Sequence, residues 1–501
     1  MRGLRALAAA ARAAWPGARA GGLAVLAGVL AAAGQEPLGL WPVALAGYAL
    51  LTGLVARVPQ GAGWIGLIGG TAHFAAALSW IVEPFLIEPA VYGWMIPFAV
   101  AGLSAGLALF WGAAAALARR FGGAAPGLAF AGALTAAEMA RGHVLTGFPW
   151  ALPGHVWFQT PVVQAAALAG GYGLTFLTLL AAAGLARLRP LPGLGAVVLV
   201  AAVWGWGLLA LSQPEPAAPG VALRLIQPNA EQRLKWDPDL AQTHFERLIR
   251  LTASGPARDL TIWPETALPY LLDRHPELAE MIAGAGQGAP VALGVQRMAG
   301  DVAWNSLTVL ASNGAEAARY DKAHLVPFGE YIPAGDVLYR WFGLRAFASQ
   351  AGAGYTAGPG PQVLDLGPKL GRVLPLICYE AVFPQDLRAA PGRADWILQI
   401  TNDAWFGNLT GPFQHAALAR LRAIEQGLPL VRVGNTGVTA VYDARGRVTA
   451  SLPFQTEGAL DAALPGALPA TPYARAGEWP VLVLLAGLAL GLAVAGRRKA
   501  A

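Results

Sequence analysis

Long apolar runs, separated by short polar or glycine- and proline-containing stretches, dominate the first 212 residues and return near the end of the chain. Most of these runs are long enough to cross roughly 30 Å of hydrocarbon as a helix. They predict about eight membrane-spanning helices, at 20–34, 38–56, 63–82, 93–117, 124–141, 161–186, 191–212 and 479–496.

The pattern changes after the proline-rich stretch Ser212-Gln-Pro-Glu-Pro-Ala-Ala-Pro-Gly220. Short apolar runs that end in polar residues there alternate with helical segments, which predicts an α/β layered domain. The predicted strands are 221–226, 259–263, 290–296, 304–310, 372–378, 395–401, 429–434 and 437–442, and the clearest helices are 238–253 and 413–426. We therefore expect an N-terminal membrane domain at 1–212, an α/β domain at 213–470, and a final transmembrane helix with a basic tail at 471–501.

Composition supports this division. Hydrophobic residues make up 55% of the chain and charged residues 13%, and the mean hydropathy is +0.48, so much of the chain is expected in lipid. A net charge of +6 is compatible with binding to nucleic acid. The basic residues form no dense run beside aromatic residues, however, so no nucleic-acid partner is predicted.

Arginine placement predicts an orientation, because short cytoplasmic loops are rich in Lys and Arg. With the N-terminus inside, most arginines of the membrane domain and the C-terminal basic tail also fall inside, and Arg141 is the main exception. The large segment 213–478 then lies outside. Arg12 interrupts the first apolar stretch early, which favours retention of this segment over cleavage as a signal peptide. The inside arginines are Arg2, Arg5, Arg12, Arg19, Arg57, Arg119, Arg120, Arg187 and Arg189.

The only cysteine, Cys378, ends the predicted strand 372–378. A thiol at the end of a buried strand has a rigid support, and it needs a base or a nearby positive charge to act as a nucleophile. Most lone cysteines are structural. Further candidates are therefore needed before Cys378 is read as reactive.

Two charged residues supply that context. Glu265 follows Trp263-Pro264 at another predicted strand end, where a carboxylate can accept a proton. Lys322 lies in the aromatic-rich segment 320–331, where an ammonium can stabilise an oxyanion. Each of them, taken alone, is more often a solvated surface residue. The seven histidines show no zinc-type spacing, so we predict no metal site. No cofactor is predicted either.

Several motifs extend this constellation over nearly the whole chain. They are Arg141-Gly142 with Thr146-Gly-Phe-Pro-Trp150; Gln227-Pro-Asn229 with Lys235-Trp236; Trp263-Pro-Glu265-Thr-Ala-Leu-Pro269; the segment 321–331; Ile377-Cys-Tyr-Glu380; the segment 401–407; Gln414-His415; and Asn435-Thr-Gly-Val-Thr439. The region beyond residue 212 resembles the carbon–nitrogen hydrolase (nitrilase) superfamily. The chain as a whole resembles the apolipoprotein N-acyltransferases, bacterial enzymes that complete lipoprotein triacylation.

The resemblance implies a multi-span helical membrane domain with an inserted nitrilase-like α-β-β-α sandwich. It implies that Glu265 is the general base, that Lys322 stabilises the oxyanion and that Cys378 forms an acyl-thioester. Trp236, Glu330, Tyr379 and Glu380 are carried over as supporting or substrate-binding positions, and so is Asn305 on a shorter local motif. Glu330 is expected to hold Lys322 or the tetrahedral intermediate in place.

The implied reaction moves a fatty acyl chain from a membrane phospholipid to the N-terminal amine of the lipidated cysteine of an apolipoprotein. The implied partners are the phospholipid donor, the diacylglyceryl-modified apolipoprotein and the bilayer. The implied location is the bacterial inner membrane, with the catalytic domain periplasmic and both termini cytoplasmic. Two alternatives stay open: a membrane-tethered amidase that passes the acyl group to water, and a transporter or receptor whose outer domain only binds ligand.

Overall fold

The computed structural model describes residues 17–58, 60–187, 189–235, 237–333 and 354–500. The chain divides into two compact units. The first comprises the residues up to Gln213 together with those from Arg475 onward, and the second runs from Pro214 to Ala474. Arg2, Arg5 and Arg12, which contribute to the predicted orientation, lie outside the described residues.

The first unit is helical. Its longer helices before residue 213 are α1 (Ala18–Ala32), α2 (Trp41–Arg57), α3 (Ala62–Ala77), α4 (Ile96–Phe121), α5 (Pro126–Arg141), α6 (Ala166–Leu185) and α7 (Pro190–Ser212). Several begin with a proline in the first turn, where its missing N–H costs nothing. Each of these helices overlaps one of the predicted apolar runs.

Four helical segments of the described chain are long and apolar enough to cross a membrane, and a fifth is added if the bent pair Ala62–Ala77 and Ser79–Leu86 is counted as one span. Helices α1 and α2 are shorter apolar helices. The prediction of about eight spans therefore stays a prediction. The four segments are Pro89–Phe121, Pro161–Leu185, Pro190–Ser212 and Trp479–Arg497.

Arg141, the exception to the charge rule, is buried at the end of α5 and forms an ion pair with Glu138. Glu138 also accepts a hydrogen bond from Trp111 Nε1, and Arg141 donates to the carbonyl oxygens of Phe148 and Trp150. A buried arginine neutralised by a carboxylate three residues earlier adds no net charge to a loop. Arg141 therefore need not be counted among the loop charges on which the predicted orientation depends.

The second unit contains two six-stranded sheets. The first has the order β12-β1-β2-β3-β4-β5 and the second the order β11-β10-β9-β8-β7-β6. The strands are β1 (Ala222–Gln227), β2 (Leu260–Ile262), β3 (Val291–Ala299), β4 (Val302–Leu310), β5 (Glu316–Asp321), β6 (Leu364–Asp365), β7 (Arg372–Ile377), β8 (Trp396–Thr401), β9 (Leu430–Gly434), β10 (Ala440–Tyr442), β11 (Val448–Ser451) and β12 (Gly458–Ala463).

The longer helices are α8 (Pro238–Thr252), α9 (Pro276–Ala285), α10 (Pro384–Ala389), α11 (Gly411–Gln426) and, in the first unit, α12 (Trp479–Ala500). One apolar cluster joins the facing sides of the two sheets and includes Leu225, Ile262, Ile377 and Val433. A second cluster packs α8 and α9 on the first sheet, and a third packs α10 and α11 on the second. The unit is therefore an α-β-β-α sandwich, and the predicted fold class is confirmed.

Several elements were not predicted from the sequence. Strands β5, β6, β11 and β12 and helices α9 and α10 are among them. Strand β12, Gly458–Ala463, has little β-branched character, yet it pairs antiparallel with β1 at the edge of the first sheet. Arg224 on β1 and Asp461 on β12 form an ion pair at 2.8 Å. Pairing with β1, more than intrinsic propensity, accounts for this strand.

Candidate active site

The candidate catalytic residues follow the carboxyl ends of three strands. Strands β1, β2 and β3 are parallel, and β4 and β5 each pair antiparallel with the preceding strand. Strand β5 therefore runs in the direction of β2, so Lys322 after β5 and Glu265 after β2 lie at one edge of the first sheet. Cys378 follows β7 of the second sheet.

The carboxylate of Glu265 is buried and held on both oxygens. Oε1 accepts a hydrogen bond from Asn305 Nδ2 at 2.7 Å, and Oε2 accepts one from the Asn402 backbone N–H at 2.8 Å. The loop that carries Glu265 lies against Gly294 of β3, where a Cβ atom would come within 2.6 Å of the Glu265 Cα. Glycine at 294 thus permits this close approach.

Lys322 is buried between two carboxylates. Its Nζ donates to Glu330 Oε1 at 2.8 Å and lies 3.6 Å from Glu265 Oε1. Burial alone lowers the pKa of Lys322, but Glu330 and Glu265 outweigh burial and raise it. The ammonium therefore stays charged at neutral pH.

Asn305 and Glu330 complete this arrangement. Asn305 Nδ2 donates to Glu265 and also to Glu330 Oε1, at 3.1 Å. The second oxygen of Glu330 accepts the Val326 N–H at 2.9 Å. Asn305 and Glu330, both carried over as supporting positions, thus lie in one network with Glu265 and Lys322.

Cys378 is buried, with 5% of its surface exposed, and its backbone φ is +52°. Its thiol interacts electrostatically with Glu265 and Lys322 and forms a hydrogen bond with Thr401. Burial raises the pKa of the Cys378 thiol, Glu265 raises it further, and Lys322 opposes this rise. The Cys378 thiol is therefore neutral at rest, and it would need a nearby base to take its proton before it could act as a nucleophile.

Glu380 connects the cysteine turn to the lysine segment. Its Oε2 accepts the Ile377 N–H at 2.7 Å, while Oε1 accepts the Tyr320 hydroxyl, the Ala323 N–H and the His324 N–H at 2.7, 2.7 and 3.1 Å. Burial raises the pKa of Glu380, although these donors and Lys322 oppose the rise. One carboxylate therefore fixes the chain on both sides of the candidate site.

Two supporting positions remain, Tyr379 and Trp236. Tyr379 is buried in the turn after Cys378, with its ring edge-on to Phe383 at 4.8 Å. No polar role of Tyr379 follows from this packing. Trp236 lies outside the described residues.

A second lysine, Lys235, lies in the same site. Its Nζ donates to the backbone oxygen of Glu265 at 3.2 Å and to Thr266 Oγ1 at 2.9 Å. Burial lowers the pKa of Lys235 to about 8, although Glu265 and Cys378 oppose this effect. Two buried lysines and the carboxylates of Glu265 and Glu330 thus balance in formal charge beside the neutral Cys378 thiol.

Backbone strain accompanies these residues. Besides Cys378, the non-glycine residues Thr266 and Phe328 have φ values of +45° and +63°. A left-handed conformation costs an L-residue about 1 kcal/mol or more, and such residues cluster at functional sites. Thr266 follows Glu265, and Phe328 lies in the segment between Lys322 and Glu330.

Sequence reasoning assigned no role to Lys235, Asn402 or His415, although all three fall within quoted motifs. The sequence does contain a sign of Arg432, which contacts His415. Arg432 stands in the apolar strand Leu430–Gly434, and a charge in a buried strand requires a partner. The partner, Asp403, is recognisable only in the folded chain.

Two family models match the chain, one in each part. Residues 220–473 match the family model described as carbon-nitrogen hydrolase, and residues 27–184 match the apolipoprotein N-acyltransferase N-terminal domain. An apolipoprotein N-acyltransferase of Caulobacter vibrioides is 40% identical, covering 92% of each chain. One of Bradyrhizobium diazoefficiens is 39% identical, covering 96% of this chain and 95% of the relative.

Among solved structures, an amidase from Nesterenkonia sp. is similar at 19% identity, covering 55% of this chain and 98% of that chain with a TM-score of 0.38. The second unit is that of a carbon–nitrogen hydrolase. The whole chain belongs to the apolipoprotein N-acyltransferase family. It is a membrane-bound enzyme of the acyltransferase class.

Proposed function

We propose that the protein transfers a fatty acyl chain from a membrane phospholipid to the N-terminal amine of the diacylglyceryl-modified cysteine of apolipoproteins, through a thioester on Cys378. The observation that carries this proposal is the convergence of a neutral buried thiol, the Glu265 carboxylate and the Lys322 ammonium within one site. Membership of the apolipoprotein N-acyltransferase family supports the substrate classes.

In the first half-reaction, Glu265 takes the proton of the Cys378 thiol while the sulfur attacks the carbonyl carbon of a phospholipid ester. The oxyanion that develops is stabilised by the Lys322 ammonium. The ester C–O bond then breaks, and Glu265 returns the proton to the departing alkoxide. The products are a lysophospholipid and an acyl-thioester on Cys378.

In the second half-reaction, the neutral α-amine of the apolipoprotein attacks the thioester carbonyl. Glu265 takes a proton from the attacking nitrogen, and Lys322 again faces the oxyanion. The C–S bond breaks, the proton passes to the sulfur, and the N-acylated product leaves. The kinetics are expected to be ping-pong.

The supporting residues have corresponding roles in this proposal. Glu330 holds the Lys322 ammonium, Asn305 links the Glu265 and Glu330 carboxylates, and Glu380 fixes the two segments that carry Lys322 and Cys378. Tyr379 and Trp236 are proposed to contribute to substrate binding. Both half-reactions use only groups of this chain and of its two substrates.

We further propose that the domains are 1–212, 213–470 and 471–501, with the middle domain on the periplasmic side of the inner membrane and both termini in the cytoplasm. The arginine distribution supports this orientation. Reporter fusions placed after Arg187 and after Glu215 test it. Opposite sides of the membrane are expected for the two fusions, and a common side would contradict the topology.

The central test is the intact mass of the purified protein after exposure to phospholipid. A hydroxylamine-sensitive acyl adduct is expected on wild type and not on Cys378→Ser. Adding a diacylated lipopeptide should then yield N-acylated peptide. Free fatty acid in its place would favour the hydrolase alternative, which full-length similarity to N-acyltransferases disfavours, and full transfer by Cys378→Ser would contradict the thioester.

A further inference from the structure

The backbone carbonyl of Cys378 is held by two side chains of the second sheet and its helix. Gln399 Nε2 donates to this oxygen at 3.1 Å, and His415 Nε2 lies 3.0 Å from it. Gln399 and His415 are fully buried. Because a carbonyl oxygen can only accept, the hydrogen bond from His415 requires a proton on Nε2.

The buried ion pair between Asp403 and Arg432 contacts the other nitrogen of the His415 imidazole. His415 Nδ1 lies 2.9 Å from Asp403 Oδ1, and Arg432 Nη2 contacts Asp403 Oδ1 and Oδ2 at 2.9 and 2.8 Å. The same Arg432 nitrogen lies 3.1 Å from His415 Nδ1. A Cβ atom at position 437 would overlap the Asp403 carboxylate, so only glycine at this position leaves room for the Asp403 side chain.

These residues contact the backbone carbonyl of Cys378 or one another, and the proposed half-reactions do not use them. They act on the backbone conformation of Cys378. The φ of this residue is +52°, which is unfavourable for a residue with a side chain. A carbonyl oxygen fixed by two donors restricts rotation about the Cα–C bond. This restriction limits where Cβ lies relative to the fixed carbonyl group, and rotation about the Cα–Cβ bond then sets the position of the sulfur.

We propose that His415, seated by Asp403 and Arg432, is a positioning residue that acts with Gln399 to hold Cys378 in its left-handed conformation and to direct the thiol toward Glu265 and Lys322. This inference rests on the proposed role of Cys378 as the nucleophile. The motifs Gln414-His415 and 401–407 thereby acquire a function in the reaction.

The test uses the full-length protein in micelles and the variants His415→Ala, His415→Gln and His415→Asn. The glutamine amide can donate near the position of Nε2, whereas the asparagine amide lies near Nδ1. Glu425→Gln is the matched control, because Glu425 is buried on the same helix and pairs with Arg422. Circular dichroism and the unfolding temperature report on folding.

Two rates are measured for each variant. Since Cys378 is the only cysteine, the initial rate of iodoacetamide labelling reports on its thiol alone. The second rate is thioester formation at saturating phospholipid. We expect His415→Ala and His415→Asn to lower both rates by about 10- to 100-fold. The half-saturating phospholipid concentration should stay within about 3-fold, since positioning of the thiol leaves ground-state binding unchanged.

His415→Gln should recover both rates to within about 10-fold of wild type, and Glu425→Gln should stay within about 3-fold. Wild-type labelling of folded His415→Ala, or equal rates for the Gln and Asn variants, would overturn the inference. If His415→Ala does not fold, Gln399→Met removes the other donor, and an unchanged labelling rate would overturn it equally. A wild-type protein that is labelled but forms no thioester contradicts the proposed function instead.

Discussion

Lys322 and Glu330 form a buried ion pair in which Nζ and Oε1 are 2.8 Å apart. Glu265, the other carboxylate near Lys322, lies farther away, at 3.6 Å. The shorter pair with Glu330 leaves the Glu265 carboxylate available as a base. Glu330 therefore separates the two proposed roles of oxyanion stabiliser and proton acceptor.

Replacement of Glu330 by Gln should lower the rate of thioester formation by about 100-fold. Without the Glu330 charge, Lys322 has Glu265 as its nearest carboxylate partner, and this pairing would occupy the proposed base. The measurement is the lysophospholipid released in a single turnover. Glu316→Gln, which removes an exposed carboxylate paired with Arg319 on β5, should leave the rate unchanged. A wild-type rate in Glu330→Gln would exclude this role.

Lys235 predicts a loss of activity at alkaline pH. Its pKa is lowered to about 8, so the charge beside Glu265 is present below that pH and disappears above it. The rate of lysophospholipid release should therefore fall as pH rises through about 8. Lys235→Arg, whose guanidinium keeps its charge, should retain activity above that value.

The matched comparison for this prediction is Lys369→Arg, because Lys369 is an exposed lysine of the same unit. Its pH profile should follow that of wild type. An unchanged alkaline limb in Lys235→Arg would show that another group titrates there. Using the first half-reaction excludes ionisation of the amine substrate from the profile.

Asp403 predicts a loss of stability in acid. Arg432 and His415 lower the pKa of Asp403 from 3.8 to about 2 in spite of burial. Because the pKa of Asp403 is lower in the folded than in the unfolded protein, the ionised carboxylate stabilises the fold above pH 3.8. This contribution is lost as pH falls toward 2. The difference corresponds to about 2 kcal/mol.

The measurement is the free energy of unfolding of the second unit in the full-length protein between pH 5 and 2, in wild type and Asp403→Asn. The variant should be less stable at neutral pH and should lack this part of the acid-dependent loss. Asp301→Asn, at an exposed carboxylate of the same unit, serves as the control. Identical acid profiles for wild type and Asp403→Asn would contradict the assignment.

The Glu138–Arg141 pair makes a prediction for the helical unit. Arg141→Met leaves a buried carboxylate without its cation and two carbonyl oxygens without their donor, which should cost about 3–5 kcal/mol. The double variant Glu138→Leu/Arg141→Met should be less destabilised than the single one. Unfolding temperature in micelles measures both, with the exposed Arg120→Met as control. A double variant less stable than Arg141→Met would exclude this account.

Much of the candidate site was accessible from the sequence, because its residues follow recognisable strands. The segment 372–378 was predicted as a strand and is observed as Arg372–Ile377, which leaves Cys378 as the first residue of the turn. Glu265 stands three residues beyond Ile262 in the same way. Apolar runs that end in polar residues are local features, so a linear pattern suffices to locate them.

The contacts behind these residues could not be predicted. Asn305 stands in only a short motif of the sequence, yet it bridges Glu265 and Glu330. The four donors to Glu380 come from the cysteine turn and from the segment 320–324. Asn305 meets Glu265 through the pairing of strands in the first sheet. Glu380 meets the distant segment 320–324 only when the two sheets pack face to face.

By itself, the sequence determined that this protein has an apolar helical part, an α/β part and three candidate residues at strand ends, because hydrophobic periodicity and strand termination are written into consecutive residues. Only the tertiary structure decided that Lys322 pairs with Glu330, that Lys235 joins the site and that His415 and Gln399 hold the Cys378 carbonyl. Burial and hydrogen-bond geometry depend on packing between distant segments, and a linear pattern does not encode that packing explicitly.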